Sequence, residues 1–249
     1  MPAGAPAAPK VPKPGLTALL LAGSRPGVDP LAAAFDAPAK ALVRVAGEAM
    51  LSRVARTLAD HPAIARVVVL AQDPALLTGQ PDTTWLADDP RITFEVAGGS
   101  VSAAVAEAVE RHADALPVLV TTADHALLDR AILDAFIGPA LATGADIAVG
   151  LVERRVLAAA YPGNRRTWLR FRGGAWSGAN LFMITDLRAL AALRLWRGIE
   201  QQRKKGRAII AAFGPIMLAG VALRLFDIHA ALRRAGHRLG LTAAAIPLP

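Results

Sequence analysis

The sequence predicts an α/β protein of the Rossmann-like kind, in which a mostly parallel mixed sheet lies between two layers of helices. Short apolar runs rich in β-branched residues, such as RVVVL at 66–70, are typical of strands buried on both faces. These runs alternate with segments whose apolar residues recur at the spacing of an amphipathic helix. Strands that alternate with helices favour parallel pairing, because each helix returns the chain to the start of the next strand.

Each strand is predicted where an apolar run stands between turn residues. In chain order, the predicted strands are Leu16–Leu21, 66–70, Ile92–Val96, 117–122, 146–152 and 180–184. Helices are predicted over 48–59, from Val101 onward, and over a segment in which four side chains face inward: Leu127, Leu128, Ile132 and Phe136. After about residue 186 the pattern becomes helical.

The chain is predicted to consist of a short lead and one domain. Residues 1–14, MPAGAPAAPKVPKP, predict a disordered lead because proline restricts the backbone and lacks an N–H donor. The lead has no apolar core of a secretory signal and the chain has no cysteine, so a cytoplasmic protein is predicted. Residues 15–249, apolar enough for one large core, are predicted to form a single domain with a helical C-terminal part at about 187–235.

The net charge of +8 restricts the class of partner. A basic chain attracts phosphorylated small molecules, nucleic acid or anionic membranes. The single tyrosine and the lack of aromatic residues interleaved with basic ones argue against nucleic acid, whose bases stack on such side chains.

A basic stretch followed by an apolar one raises the question of a membrane. The basic RKKGR at 203–207 precedes 16 largely apolar residues at 208–223, fewer than the roughly 20 that a transmembrane helix needs. A buried helical hairpin and peripheral contact with the inner face of an anionic membrane both fit this segment.

The first strand, Leu16–Leu21, runs into a loop with the composition of an anion site, Ala22-Gly23-Ser24-Arg25-Pro26-Gly27. Glycine lets backbone N–H groups approach a phosphate, and Arg25 and the later Lys40 supply positive charge. The loop matches neither G-K-[ST] nor G-x-G-x-x-G, so an ordinary strand-to-helix turn also fits. If the loop binds phosphates, the protein handles a nucleoside triphosphate.

Three further groups adjoin predicted strands, at positions where open α/β sheets bind ligands. Asp124 follows PVLVTTA and suits either a Mg²⁺ ion or the cap of the next helix. Gly98-Gly99-Ser100 follows ITFEVA and allows either close approach of a ligand or a helix cap. Asn180 offers a donor and an acceptor to a hydroxylated substrate or a metal, but a plain turn also accounts for it. His125, beside Asp124, is predicted to be structural.

Together these stretches resemble the MobA-like NTP transferase domain family, which is similar to the molybdenum-cofactor guanylyltransferases and to sugar-phosphate cytidylyltransferases. The segment LLLAGSRPGVDPLAAAFDAPAKALVRVAGEAMLSRV resembles the LAGG-x-G…K-x-L…G-x-P-L opening of these enzymes. VTTADHALL, RRTWLRF, SGANLF and RKKGR resemble later stretches of an uncharacterised bacterial branch. The resemblance covers residues 16–249 and implies the three-layer fold of the nucleotide-diphospho-sugar transferases.

The resemblance implies a Mg²⁺-dependent nucleotidyltransferase that moves an NMP group from an NTP to a phosphorylated small-molecule acceptor and releases pyrophosphate. It assigns Mg²⁺ to Asp124, and it implies that Arg25 and Lys40 neutralise the triphosphate and share catalysis with Asp124. Arg166, Arg170 and Asn180 are the implied acceptor-binding residues. The implied nucleotide-binding residues are Leu21, Ala22, Gly23, Ser24, Arg25, Gly27, Lys40, Gly98, Gly99 and Ser100.

The sequence departs from the family pattern at one place. Relatives continue past the final strand into an acidic D-x-D-x-P-x-D segment, whereas this sequence stops at Ala244-Ala245-Ile246-Pro247-Leu248-Pro249, where that segment would begin. Either the sequence is truncated there or the protein lacks the segment. Two other functional classes therefore stay open for this protein. One is a nucleotide-binding or membrane-associated protein without turnover, and the other is a glycosyltransferase of related fold. A glycosyltransferase usually needs a D-x-D motif for its metal, and this sequence contains none.

Overall fold

The fold is described by a computed structural model of the chain. The structure describes residues 15–24, 27, 29–164, 166–201, 219–220 and 222–249, with the main chain alone at 198–201. The predicted lead at 1–14, the basic segment 203–207 and most of the apolar segment 208–223 lie outside these residues. Within the described part of the chain, no helix is both long and apolar enough to cross a membrane.

Strands and helices alternate along the chain as predicted. The strands are β1 (Leu16–Leu21), β2 (Arg44–Val45), β3 (Glu48–Ala49), β4 (Ile64–Ala71), β5 (Ile92–Val96), β6 (Val118–Thr122), β7 (Ile147–Glu153), β8 (Leu169–Phe171), β9 (Gly174–Ile184) and β10 (Ala243–Leu248). The described helices are α1 (Pro30–Ala34), α2 (Met50–Ala59), α3 (Pro74–Thr78), α4 (Trp85–Asp88), α5 (Val101–Arg111), α6 (Arg130–Ala142), α7 (Arg154–Ala160), α8 (Leu190–Gln201) and α9 (Ile228–Arg238).

Eight strands form one mixed sheet in the order β10-β7-β9-β6-β1-β4-β5, with β8 paired to β9. All pairings of β1, β4, β5 and β6 with one another are parallel, and β10 is parallel to β7. β9 alone among the seven strands of this row runs in the opposite direction, antiparallel to both β6 and β7 within the described sheet. The prediction of a mostly parallel mixed sheet is confirmed.

Helices cover both faces of this sheet. Neighbouring residues of β1 point to opposite sides, so that Leu20 packs in the core cluster that holds Leu51 and Phe136, while Leu19 packs in the cluster that holds Val105. The first cluster lies under α2 and α6, and the second lies under α5 and α8. Both neighbours on β1 are fully buried, which explains why the strand reads as a continuous apolar run.

The predicted starts of two helices are wrong. The helix predicted over 48–59 begins at Met50, because Glu48 and Ala49 pair with Arg44 and Val45 in a separate two-stranded ladder. The helix expected to present Leu127 begins only at Arg130, because the extended Asp129 caps it by accepting a hydrogen bond from the Ile132 N–H. Leu127 therefore precedes the helix and is 56% exposed.

The buried carboxylate of Asp146 joins the start of β7 to the last strand. It accepts a hydrogen bond of 2.7 Å from the Thr242 N–H, and the Asp146 N–H donates one of 2.9 Å to Thr242 Oγ1. The Arg188 guanidinium lies 2.8 Å from its other oxygen. Because the Asp146 side chain is only 4% exposed, these partners replace most of the water that the charge would otherwise bind.

Replacement of Asp146 with Ala is expected to lower the free energy of unfolding by about 2 kcal/mol, because it removes the acceptor of the Thr242 N–H and the charged partner of Arg188. Urea denaturation followed by circular dichroism measures the change. The matched control is Asp60→Ala, since the Asp60 side chain is 68% exposed and contacts Arg91 only at 4.0 Å. Equal losses in the two variants would contradict the role assigned to Asp146.

Candidate functional site

The residues predicted to bind a ligand meet at one edge of the sheet. β1, β4, β5 and β6 all end at this edge because they are parallel. The loop after β1, the Gly98–Ser100 segment after β5 and Asp124 after β6 therefore lie along it. In open α/β sheets, this carboxyl edge is where ligands bind.

A cleft of about 440 Å³ opens at this edge. Three predicted nucleotide-binding residues, Ala22, Ser24 and Gly99, line it. The other lining residues are Pro38, Ala39, Ala71, Gln72, Asp73, Leu76 and Leu77. The structure thus brings the loops after β1 and β5 together around one cavity, beside the turn that carries Lys40.

The segment after β5 shapes both the cleft and the start of α5. Gly99 has φ +78°, a left-handed conformation that favours glycine. Ser100 caps α5, its side-chain oxygen accepting a hydrogen bond from the Ala103 N–H. The helix-cap interpretation of Ser100 is therefore confirmed, and it is compatible with a ligand at the adjacent glycines.

Lys40 and Asp124 form an ion pair at the centre of the edge. Lys40 lies on the 3₁₀ turn Lys40–Leu42, and Asp124 lies two residues beyond the end of β6. The other Asp124 oxygen accepts a hydrogen bond of 2.5 Å from Thr122 Oγ1. The alternative that Asp124 caps the next helix is wrong, since Asp129 caps α6.

The pairing controls the charge of Asp124. Burial on its own raises the pKa of this carboxyl group, but the hydrogen bonds from Lys40 and Thr122 and the charge of Lys40 outweigh it. The pKa of Asp124 therefore lies below its ordinary value, and the side chain is a carboxylate at neutral pH. Both side chains keep about a third of their surface exposed, 35% for Lys40 and 31% for Asp124, so a ligand can reach them.

His125 belongs to this edge, which the sequence prediction missed. Its Nδ1 lies 3.4 Å from Thr121 Oγ1, and that hydroxyl donates a hydrogen bond of 2.9 Å to the Asn180 carbonyl. Burial lowers the pKa of His125, and the charge of the nearby Arg166 lowers it further, against the opposing effect of Asp124. The feature of the sequence that could have indicated His125 is its position directly after Asp124.

Asn180 lies on an irregularity of β9 beside β6. Between the pairs Val149–Phe182 and Leu151–Gly178, one residue of β7 faces three residues of β9. Asn180, one of those three, has φ +52°, and its residue surface is exposed. β-Bulges of this kind redirect side chains next to binding sites. The plain-turn interpretation is wrong, because Asn180 lies within the strand.

The two arginines predicted to bind the acceptor lie beside different positions along β9. Arg166 Nη2 donates a hydrogen bond of 3.2 Å to the Gly178 carbonyl, which places it beside the β9 irregularity. Arg170 pairs with Ala175 on the β8–β9 hairpin. Ala175 precedes Asn180 by five residues, or roughly 16 Å along a strand. The structure therefore groups Arg166, but not Arg170, with Asn180.

The remaining predicted residues are partly described. Leu21 is the last residue of β1, and its carbonyl accepts a hydrogen bond of 2.8 Å from the Ala123 N–H, which ties the first loop to the Asp124 segment. Gly27 has φ +98°. Arg25 lies outside the described residues.

Asp124 is the kind of ligand that a Mg²⁺ ion takes when phosphate oxygens and water supply the rest of its coordination. Mg²⁺ in such sites takes one or two carboxylates together with phosphate oxygens and water. Asp124 is an accessible carboxylate at the ligand edge, whereas the described residues contain no group of three or more histidine or acidic side chains that would hold a metal alone.

Comparison with known proteins supports a transferase of this fold. A family model described as the MobA-like NTP transferase domain matches residues 19–215. A hypothetical transferase from Thermus thermophilus has a similar structure, with a TM-score of 0.75 and 24% identity over 94% of this chain and 93% of its own. No curated protein matches the chain.

Two more distant structures share the fold. CMP:2-keto-3-deoxy-manno-octonic acid synthetase, complexed with CTP, has a TM-score of 0.53 and 12% identity over 94% of this chain and 90% of its own. A 4-diphosphocytidyl-2C-methyl-D-erythritol synthase has a TM-score of 0.51 and 14% identity over 95% of this chain and 90% of its own. At such identities the likeness shows the fold.

Replacement of Asp124 with Asn is expected to lower the free energy of unfolding by at most about 1 kcal/mol at pH 7, because a partly exposed ion pair contributes little. Since the folded-state pKa of Asp124 is depressed, this contribution is present above the unfolded-state pKa and is lost as the pH falls through the folded-state value. The stabilities of wild type and variant should converge below pH 3.8, the ordinary pKa of the side chain.

Urea denaturation over a series of pH values measures this convergence. Lys40→Met is the matched variant, because it removes the other member of the same pair. A difference between wild type and Asp124→Asn that persists through the whole acid range would contradict the pairing.

Proposed function

The chain belongs to the MobA-like NTP transferase domain family, and on that premise we propose that it transfers a nucleotidyl group from an NTP to a phosphorylated small molecule and releases pyrophosphate. The observation that carries this proposal is the meeting of Lys40 and Asp124 beside the cleft that Ala22, Ser24 and Gly99 line. One cation and one accessible carboxylate beside a cleft of about 440 Å³ suit a metal-bound triphosphate.

The nucleotide occupies the cleft in this proposal, with Gly98, Gly99 and Ser100 near the base and ribose. Fold neighbours support a cytidine nucleotide as the first to test, since one is complexed with CTP and another is named for a diphosphocytidyl product. When the nucleotide binds, the Lys40 ammonium leaves the Asp124 carboxylate and pairs with the phosphates instead. Arg25 adds a second positive charge. Asp124, freed of Lys40, would hold Mg²⁺, which when bound neutralises phosphate charge.

The reaction needs positioning more than proton transfer. An oxygen of the acceptor phosphate, already anionic at neutral pH, attacks the α-phosphorus of the NTP. The bond between the α-phosphorus and the bridging oxygen breaks, and its electron pair leaves with pyrophosphate. No strong base is required, so catalysis rests on in-line orientation and on charge neutralisation. Arg166 and Asn180, grouped at the β9 irregularity, are proposed to hold the acceptor, and Arg170 to meet a longer acceptor on the hairpin.

A cytoplasmic location and peripheral contact with an anionic membrane stay predictions from the sequence. The basic segment 203–207 and most of the apolar segment 208–223, on which the contact rests, lie outside the described residues. Flotation with anionic liposomes at low and high salt tests it, because binding to such a surface weakens as salt screens the charges.

Replacement of Lys40 or Asp124 with Ala is expected to lower pyrophosphate release about 10²–10³-fold, which is typical for removal of one charged transition-state contact. Both variants should remain folded by circular dichroism, since the pair is partly exposed. Arg44→Ala is the control, because Arg44 lies near the same turn but pairs with Asp82 instead. Near-wild-type turnover by either variant would overturn the assignment.

A screen of four NTPs against a panel of phosphorylated acceptors tests the reaction class. Pyrophosphate release is expected only when an NTP, an acceptor and Mg²⁺ are all present, and EDTA should abolish it. Titration calorimetry with each NTP separates binding from turnover. Tight NTP binding without pyrophosphate release would favour the alternative of a nucleotide-binding protein without catalysis.

A further inference from the structure

We propose that Gln72 is a positioning residue that holds the nucleotide loop after β1 in its binding geometry, by standing in for a peptide group where the strand ladder ends. This inference rests on the proposed nucleotide binding. Gln72 follows β4 directly, and it acts through the main chain of Ser24.

The ladder between β1 and β4 ends just before this residue. Leu21 is the last β1 residue in register, opposite Leu70, and the Ala22 N–H donates a final main-chain bond of 2.9 Å to the Leu70 carbonyl. Beyond that point the two chains separate to form the cleft. The loop would therefore lose its support from β4 at the position where it has to present itself to a ligand.

The Gln72 side chain replaces the missing ladder bonds. Its Oε1 accepts a hydrogen bond of 3.0 Å from the Ser24 N–H, and its Nε2 donates one of 3.0 Å to the Ser24 carbonyl. A carboxamide carries one acceptor and one donor group in the same plane, as a peptide does, so one side chain satisfies both groups of Ser24. Leucine has neither group, and the carboxylate of glutamate lacks the donor.

The close approach of Gln72 also explains Gly23. A Cβ atom built on Gly23 would lie 2.9 Å from Gln72 Oε1 and 3.0 Å from its Nε2. Any side chain at position 23 would therefore push the carboxamide away from Ser24. The requirement at this position is room for Gln72, since the φ of Gly23 is not among the positive values.

The two hydrogen bonds between Gln72 and the main chain of Ser24, here called the clamp, determine which amide of the loop stays available to a ligand. The Ala22 and Ser24 N–H groups are both engaged within the protein. Between them, the Gly23 N–H has no acceptor among the described residues. Of the three amides at 22–24, the Gly23 N–H is therefore the one that no described residue occupies. Ser24 and Gln72 both line the cleft, so displacement of the clamp alters the wall against which the nucleotide lies.

The test measures nucleotide affinity and global stability separately. Calorimetry with Mg²⁺ and each of CTP, GTP, ATP and UTP identifies the nucleotide that the wild type binds best. Gln72→Leu is expected to weaken its binding about tenfold, the effect of one or two lost hydrogen bonds, and to leave the acceptor KM and the thermal midpoint nearly unchanged. Gln72 is exposed, so its bonds contribute little to global stability. Gln80→Leu is the matched control, because the Gln80 side chain makes no hydrogen bond with described residues.

A double-mutant cycle distinguishes positioning from direct contact. Gly23→Ala should weaken binding in the wild type, because the added methyl displaces the carboxamide, and should cost little more in a Gln72→Ala background. Additive losses would overturn the clamp and make Gln72 a direct nucleotide contact. Unchanged affinity in Gln72→Leu would also overturn it.

Hydrogen exchange at the Ser24 amide tests the clamp without a nucleotide. Exchange should be faster in Gln72→Leu than in the wild type or in Gln80→Leu, because the Ser24 N–H loses its acceptor. If the wild type binds none of the four nucleotides, the proposed function fails, and the exchange rates still decide whether Gln72 holds the loop. Equal exchange rates in all three proteins would refute the proposal.

Discussion

The parallel pairing of β1 with β4 and β6 is the constraint on which the site depends. Leu21 lies opposite Leu70 on one side and Thr122 on the other, so three strands end at the same height. Because the strands are parallel, their following loops emerge together rather than at opposite edges. β1 is buried on both faces, so a shift of its register by one residue would exchange every side chain between the two core clusters. The position of the loop is therefore fixed by the core.

The ion pair between Lys40 and Asp124 lies at this edge within reach of a ligand. Lys40 and Asp124 neutralise each other and remain about a third exposed, a condition in which the pair contributes little to stability. A buried pair would be costly to separate, whereas this partly exposed pair can be separated at small cost, as the proposed binding of phosphate and metal requires. By contrast, the carboxylate of Asp146 is itself buried and has both oxygens occupied by Arg188 and Thr242, which suits a purely structural role.

The antiparallel strand β9 makes the two halves of the edge different. On the side of β4 and β5, regular parallel strands and a glycine segment form a cleft. On the side of β7, the reversed strand brings its own irregularity beside Thr121, with Asn180 exposed and Arg166 bound to Gly178. In the proposed reaction, the half formed by loops would hold the nucleotide and the half that carries Asn180 and Arg166 would hold the acceptor.

The sequence by itself determined the layers and the order of the main strands, because burial on both faces produces apolar runs and burial on one face of a helix produces a regular spacing. It also indicated Gly99 and Asp124, since a glycine or a charged residue soon after a strand is a local signal. The sequence did not distinguish a metal-binding role for Asp124 from a helix cap. The structure shows that Asp129, and not Asp124, caps α6.

Only the tertiary structure decided that Lys40 pairs with Asp124, 84 positions away, that Gln72 clamps Ser24, and that Arg166 rather than Arg170 joins Asn180. Such contacts depend on strand register and on the direction of β9, and neither leaves a pattern in the residues that finally touch.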